Sequence, residues 1–364
     1  MPLLRLSIVV PTFNESKNVK ELISRIEKTI GPDGWEMIFV DDNSPDCTAA
    51  ILRGIARDDA RVRCLQRIGR RGLSSACIEG MLAASAEIIA VMDADLQHDE
   101  SILPKMLSAV EESGAEVVVG TRYTDGGSLE GLTGSRKIMS HVATIAGQSI
   151  LKQPVSDPMS GFFMLQRQVF DSSVSNLSGL GFKILLDLLA TVKRPLRITE
   201  IPYRFRERFA GESKLDEMVV WEYGMLLADK TIGRFIPVRF LAFSIIGGVG
   251  VFIHMAILTA SLKGLAWNFS TAQSISTGVA MLFNFALNNI LTYRDRRLKK
   301  MGEWLKGLAS FVAACSIGAF TNVGIATYLF ENETQWVLAA LSGVLVGAVW
   351  NYAVTQIYTW GKDK

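Results

Sequence analysis

Apolar residues along the chain fall into two regimes. Up to residue 239 they come in short runs, "RLSIVV" (5–10), "EMIFVD" (36–41), "RVRCLQ" (61–66), "EIIAVMD" (87–93) and "AEVVVGTR" (115–122). Stretches with helical spacing separate them near 16–29, 47–59, 73–86 and 99–113. Short apolar runs bounded by turn residues predict buried strands, and their alternation with helical segments predicts a mostly parallel sheet with helices on both faces. Beyond residue 239 the pattern changes. Four windows, 240–262, 269–291, 308–330 and 336–358, each hold 23 residues without one Asp, Glu, Lys or Arg. A helix of that length covers about 34 Å, enough to cross a hydrocarbon core of about 30 Å. The division this predicts is an α/β domain over 1–213, interfacial amphipathic helices over 214–237, and an all-α domain with four transmembrane helices over 238–364.

Composition sharpens that split. The whole chain is 49% hydrophobic with a formal net charge of +2 and a mean hydropathy of +0.26. Of its 74 charged side chains only 14 lie after residue 239, so the first part has an ordinary globular composition. Lys and Arg are matched by Asp and Glu there, which argues against nucleic acid as a partner. The four cysteines show no CxxC spacing, so neither a zinc site nor a disulfide framework is expected. The apolar amino-terminal run is short and ends in a turn, as a first strand does and a signal peptide does not.

Loop charges predict an orientation. The connection "RDRRLKKMGEWLK" (294–306) carries six Lys or Arg, the first connection only Lys263, and the third, "ENET", none. Basic connections stay cytoplasmic, so this loop, the "GKDK" tail and residues 1–239 are expected on that side. The tail also repeats: "NFALNNILTY" (284–293) aligns with "NYAVTQIYTW" (351–360), and "FLAFSIIGG" (240–248) more loosely with "FVAACSIGA" (311–319). Two copies of a helical hairpin is the simplest account. Asn284 and Asn351 then lie at equivalent depths, as interhelical hydrogen-bonding groups or as the lining of a polar path.

In open parallel sheets ligands bind beyond the carboxyl ends of the strands. Those ends read "PTFNE" (11–15), "DDNSPD" (41–46) and "DADLQH" (93–98). A dinucleotide-binding fold would need GxGxxG after the first strand, and that turn has no glycine. A receiver- or phosphatase-type acid cluster would need its aspartate near the first or third strand, whereas these acids end the second and fourth. On an extended backbone Asp93, Asp95 and Gln97 point the same way. Two like charges held together call for a divalent cation or a shared proton, and hard oxygen ligands with open positions suit Mg²⁺ or Mn²⁺ holding a diphosphate.

The ordered series "VVPTFNE", "VDDNSPD", "RRGLSSA", "MDADLQH", "DPMSGFF", "GFKILLD" and "RFAGESK", spanning residues 9–214, resembles the polyprenyl-phosphate glycosyltransferases of glycosyltransferase family 2, dolichol-phosphate mannose synthases especially. The tail resembles the GtrA-like four-helix domain fused to some of them. The resemblance implies a GT-A fold and metal-dependent, inverting transfer of a hexose from a nucleotide diphosphate sugar to a polyprenyl phosphate in the membrane. GDP-mannose is the first donor to expect; UDP-glucose or another nucleotide sugar stays open. A lipid-linked sugar flippase with a non-catalytic sensor domain is the rival from another class. A homo-oligomer is admitted without being required.

By that resemblance Pro11, Phe13, Glu15, Val40 and Asp42 form the base and ribose end of the pocket. Asp93, Ala94, Asp95 and Gln97 face the diphosphate, with Asp93, Asp95 and Gln97 on the metal. Arg208 and Lys214, in a loop that Gly211 lets bend, would fold over the phosphates. Arg122, Arg136 and Ser140 would hold the acceptor phosphate, a dianion near neutral pH that needs no general base. Asp157 would order the loop against the sugar, and would be the base were the acceptor an alcohol; Asp46 would cap a helix. Asp95, Arg122, Arg136, Arg208 and Lys214 are the expected catalytic residues. Only His98 among the three histidines lies near the rim; His141 sits in an amphipathic stretch and His254 in a span. The segment 214–235, with Trp221 and Tyr223, suits a helix at the headgroup level or one facing the core.

Overall fold

The computed structural model describes residues 4–69, 71–123, 144–179, 181–206, 219–233, 235–333 and 335–361. The chain divides into two compact units, Met1–Thr231 and Ile232–Lys364.

The first unit alternates strands and helices in the predicted order: β1 (Leu6–Thr12), α1 (Val19–Ile30), β2 (Trp35–Asp41), α2 (Thr48–Asp58), β3 (Val62–Gln66), α3 (Leu73–Ala83), β4 (Ile88–Val91), α4 (Leu103–Glu111) and β5 (Val117–Thr121). Two further strands, β6 (Phe163–Gln166) and β7 (Ile198–Pro202), bracket α5 (Ile184–Thr191), and α6 (Val219–Thr231) follows. The sheet order is β3-β2-β1-β4-β6-β5-β7. β6 runs antiparallel to both β4 and β5, and the other pairings are parallel.

Every residue of β2 is buried, yet its two faces serve different layers. Met37 and Phe39 pack with Val19, Leu22 and Leu103 on one side. Ile38 and Val40 pack with Ala76, Cys77 and Met81 on the other. The alternation of side-chain direction in a strand produces this, and each fully buried aliphatic or aromatic side chain contributes about 1.5–3 kcal/mol. Helix α3 lies close because Gly80 has no side chain; a Cβ there would sit 2.3 Å from Val9 Cγ1. β6 is a four-residue, mainly apolar run, and such runs do not distinguish strand from helix by pattern, so it lies beyond the predicted strands.

In the second unit the apolar windows become α7 (Val238–Lys263), α8 (Phe269–Leu287), α9 (Met301–Glu331) and α10 (Trp336–Tyr358), with a π-helical turn at Asn288–Thr292 after α8. Among the described residues three helices are long and apolar enough to cross a membrane: Val238–Lys263, Phe269–Thr292 and Met301–Leu329. The 23-residue α10 coincides with the fourth predicted window. The unit contains its own repeat. A Cβ at Gly250 would fall 2.2 Å from Asn284 Oδ1, and one at Gly318 would fall 2.0 Å from Asn351 Oδ1. Each hairpin thus sets an asparagine against a glycine of its partner helix. Ring contacts exchange in the same sense: Phe243 meets Tyr352 at 5.8 Å and Phe311 meets Phe285 at 5.6 Å. Tyr293 and Trp360, equivalent by repeat, stack at 4.2 Å. These contacts bear out the 284–293/351–360 alignment and correct the other, because Gly250 matches Gly318 where the looser alignment pairs it with residue 321. A three-residue slip returns nearly to the same helix face, which is why pattern did not expose it.

Candidate active site

The carboxyl ends of β1, β2, β4 and β5 put the predicted polar residues at one rim. Asp41 closes β2 and Asp42 follows it. Asp41 is buried and accepts the backbone N–H of Ser44 at 2.9 Å, a turn-forming role. Asp42 accepts Arg67 Nε at 2.6 Å on Oδ1 and the Gly72 N–H at 2.8 Å on Oδ2. Burial raises the Asp42 pKa and outweighs the Gly72 and Arg67 contacts that lower it. Arg67 is buried, also donating to Ser75 Oγ and the Gly72 carbonyl. Removing one member of such a buried pair costs about 3–5 kcal/mol. Arg67 was not among the expected residues, and nothing in the local sequence distinguishes it from the neighbouring Arg70 and Arg71.

The Arg71 guanidinium lies 4.3 Å from the Phe13 ring centroid, a cation–π contact. Glu15 accepts Asn18 Nδ2 at 2.6 Å, and its own N–H donates to Thr48 Oγ1 at 3.0 Å. Pro11 is partly exposed on β1. Asp46 accepts the N–H groups of Ser16 and Thr48, holding the β1–α1 turn to the start of α2 as its capping role predicts. Val40 differs from expectation. Its side chain is wholly buried under α3, so only its backbone reaches the rim. Ala94 is likewise buried, its side chain in the core.

The acids after β4 are presented differently from the extended zigzag expected. β4 ends at Val91, and Leu96 takes φ 63°, in the left-handed region. A branched residue there costs about 1–3 kcal/mol. Burying the Leu96 side chain in the core offsets it. Asp95 accepts the Gln97 N–H at 3.2 Å, and Gln97 Nε2 donates to the Arg206 carbonyl at 3.0 Å. The Arg206 guanidinium in turn bonds Asp99 and Glu100 at 2.6 Å each. His98 lies beneath, buried, stacked on Phe162 at 5.2 Å and edge-on to Tyr203. Its Nδ1 accepts the Asp93 N–H at 3.1 Å, so the neutral ring carries its proton on Nε2, 3.7 Å from Asp93 Oδ2. Burial pushes its pKa down to about 4.

Among the described residues no three of His, Cys, Asp and Glu gather as a metal cluster. The protein donors available are two carboxylates and the Gln97 amide. A Cβ at Gly161 would reach within 3.1 Å of Asp93 Oδ2, so glycine keeps the space beside that oxygen clear. Hard oxygens from one turn, short of a full shell, fit Mg²⁺ or Mn²⁺ with positions left for a diphosphate.

Arg122 and Lys183 form a cationic group, and the Asp93 carboxylate acts electrostatically on Lys183. Arg122 donates to Asp157 through Nε at 2.7 Å and Nη2 at 3.0 Å, and Asp157 is fully buried. Burial alone would lower the Arg122 pKa, but the Asp157 carboxylate overrides it and raises it. The Asp157 loop is laced to the sheet: Ser156 Oγ meets Thr121 Oγ1 at 2.7 Å and Glu200 at 2.6 Å, and Ser160 Oγ donates to the Gly120 carbonyl at 2.7 Å. Lys183, in "GFKILLD", donates to the Met159 carbonyl at 3.1 Å. Burial, then Arg122, push its pKa down to about 8 against the pull of Asp157 and Asp93. The motif "GFKILLD" by itself gives this lysine no role. Asp187, one helical turn on, is fully buried, accepts Ser178 N–H and pairs with Lys230 of α6 at 2.5 Å. Tyr223 and Leu226 of α6 pack on Leu186, so one face of this helix meets the catalytic unit. Arg136, Ser140, His141, Arg208 and Lys214 lie outside the described residues.

The chain matches the model for glycosyl transferase family 2 over residues 7–173 and that for the GtrA/DPMS transmembrane domain over residues 242–360. It is 31% identical to a dolichol-phosphate mannosyltransferase of Pyrococcus furiosus, over 98% of this chain and 99% of that protein. A dolichol-phosphate mannosyltransferase of Saccharomyces cerevisiae is 33% identical over 63% of this chain and 88% of its own length. Among solved structures, glucosyl-3-phosphoglycerate synthase from Mycobacterium tuberculosis with Mn²⁺, UDP-glucose and phosphoglyceric acid is similar over 62% of this chain and 79% of that one, at 18% identity and a TM-score of 0.44.

Proposed function

Because the chain belongs to glycosyltransferase family 2 and carries the GtrA/DPMS transmembrane domain, we propose that it transfers mannose from GDP-mannose to a polyprenyl phosphate, with inversion, at the cytoplasmic membrane face. One observation carries the choice of acceptor. Among the described residues, His98 and Asp157 at the rim are both engaged as acceptors: the His98 Nδ1 lone pair takes the Asp93 N–H, and both Asp157 oxygens hold Arg122, while Asp93 and Asp95 are assigned to the cation. An alcohol acceptor would need a base to remove its proton. A phosphate monoester, with a second pKa of about 6, arrives deprotonated.

Arg122, kept charged and aimed by Asp157, binds the incoming phosphate and sets its line of attack on the anomeric carbon. Lys183 adds a second cation nearby. Arg136, Ser140, Arg208 and Lys214 are further phosphate-binding groups by motif. Asp93, Asp95 and Gln97 would hold a divalent cation, whose chemistry is to neutralise charge on the departing nucleoside diphosphate. Phe13 and Asp42 take the nucleoside end. The cytoplasmic placement follows from the six basic residues of the 294–306 connection and the positive-inside rule.

Radiolabelled transfer by the full chain, with GDP-mannose and UDP-glucose compared and EDTA added to a parallel sample, tests the reading. Lipid-linked product from GDP-mannose alone, abolished by EDTA and restored by Mg²⁺ or Mn²⁺, is expected. No transfer from either donor would support the sensor alternative instead.

A further inference from the structure

Within the second unit a cavity of about 370 Å³ opens where α8 gives way to the basic connection. Ala286, Ile290, Leu298 and Trp304 supply apolar walls, and Arg297 and Lys299 supply two cations. The backbone bearing those cations is fixed. Buried Asn289, in the π-helical turn, accepts the Leu298 N–H at 2.9 Å and donates to the Leu298 carbonyl at 3.2 Å. Its Oδ1 also accepts Trp360 Nε1 at 3.1 Å. Arg297 and Lys299 therefore flank a residue pinned at both its polar atoms. Among the described residues neither cation forms an ion pair; the nearby carboxylate of Glu303 pairs with Lys300 at 3.6 Å. The wall is tight beneath, since Leu298 Cδ1 occupies the space a side chain at Gly307 would need. Trp304 is held edge-on to Phe285 at 5.1 Å.

Depth decides what such a cavity takes. The apolar stretch ends at Thr292 and the Arg/Lys cluster begins at Arg294, which puts the mouth at the level of lipid headgroups, where tryptophan also concentrates. Paired cations above an apolar wall match an amphiphile with an anionic head. π-Helical turns recur at functional sites, and basic pockets between membrane helices bind acidic headgroups. We propose that this cavity seats an anionic phospholipid, with Arg297 and Lys299 on its phosphate and Ile290, Leu298 and Trp304 along the start of its chains. The seat is built from residues of the second unit alone, and the inference does not rest on the transfer reaction assigned above.

The test places the full chain in phosphatidylcholine nanodiscs with increasing brominated phosphatidylglycerol and follows tryptophan quenching, the Trp304→Phe variant isolating the Trp304 signal. Brominated phosphatidylglycerol should quench Trp304 at mole fractions where brominated phosphatidylcholine does not. Arg297→Gln or Lys299→Gln should weaken that preference about fivefold each, and the double variant roughly thirtyfold. Both side chains are exposed, so the variants should keep their fold, with unchanged circular dichroism as the check. Equal quenching by the two lipids, or a preference untouched in the double variant, would overturn the proposal. Release of the lipid by millimolar inorganic phosphate would overturn the lipid as occupant and leave a plain phosphate site.

Discussion

The two units solve opposite solvation problems with the same side chains. In the first, apolar groups go inside: Ile8, Phe39, Val118 and Phe162 are wholly buried, while acids and arginines gather at the strand ends. In the second, Phe252, Phe320, Val323 and Leu345 are well exposed, whereas Ser276, Asn288, Asn289, Thr355 and Thr359 are buried. Large apolar groups outside and small polar groups between helices are the arrangement for a hydrocarbon solvent, where packing and interhelical hydrogen bonds replace the hydrophobic effect. Charge in the first unit is therefore available for chemistry. In the second it is confined to the connections and the ends of the helices, and architecture rests on glycine–asparagine contacts.

The sharpest way to break this contrast is to remove charge from the rim alone. Asp95→Ala should lower transfer by at least about a hundredfold, the scale of losing a preorganised electrostatic group, while the protein still inserts in membranes. Turnover near wild type would sink the metal assignment; failure to insert would mean that the two units are not energetically separate.

The same contrast explains what could be read from the chain beforehand. The alternation of strands and helices through β5, the four apolar windows and the rim acids were legible because each is a local pattern. The lacing of Arg67 to Asp42, the burial of Val40 and the left-handed turn at Leu96 were not, because they depend on which distant backbone arrives. His98 is instructive. Its place near the rim was plain, but its role in holding the Asp93 N–H required the Phe162 and Tyr203 rings, which come from segments where no strand was expected. In the tail, repetition showed where the asparagines were equivalent; only the contacts showed which glycines they face.

A smaller effect tests the packing of the membrane unit. Gly250→Ala and Gly318→Ala each place a methyl group against an asparagine carboxamide, and overpacking of this kind costs about 1–3 kcal/mol, partly offset by the gain of about 1 kcal/mol in helix propensity. Thermal unfolding of the full chain in detergent should show both losses. Adding Asn284→Ala to the first and Asn351→Ala to the second should restore much of the stability. The coupling energy in these double-mutant cycles is the decisive quantity. A value near zero in either hairpin would remove the contact as its organising feature, and unequal values would limit the repeat to one of them.

The smallest effect concerns proton occupancy at the rim. Lys183 titrates at about 8 in the folded chain, below the ordinary lysine value of 10.5. Its burial penalty is therefore fully present below pH 8 and is relieved as pH climbs from there towards 10.5, so this group makes folding stability rise across that window. Activity should move the other way. Above pH 8 the amine is neutral and no longer attracts the acceptor phosphate, so kcat/KM for the lipid should fall by a few fold while the donor KM changes little. Below pH 6 the same parameter falls for a different reason, as the phosphate takes up its second proton. Lys183→Arg should move the upper limb beyond reach, because a guanidinium stays charged, and Lys183→Met should lower the plateau and flatten that limb. An upper limb unchanged in both variants would assign it to another group and leave Lys183 as a support for the Met159 carbonyl.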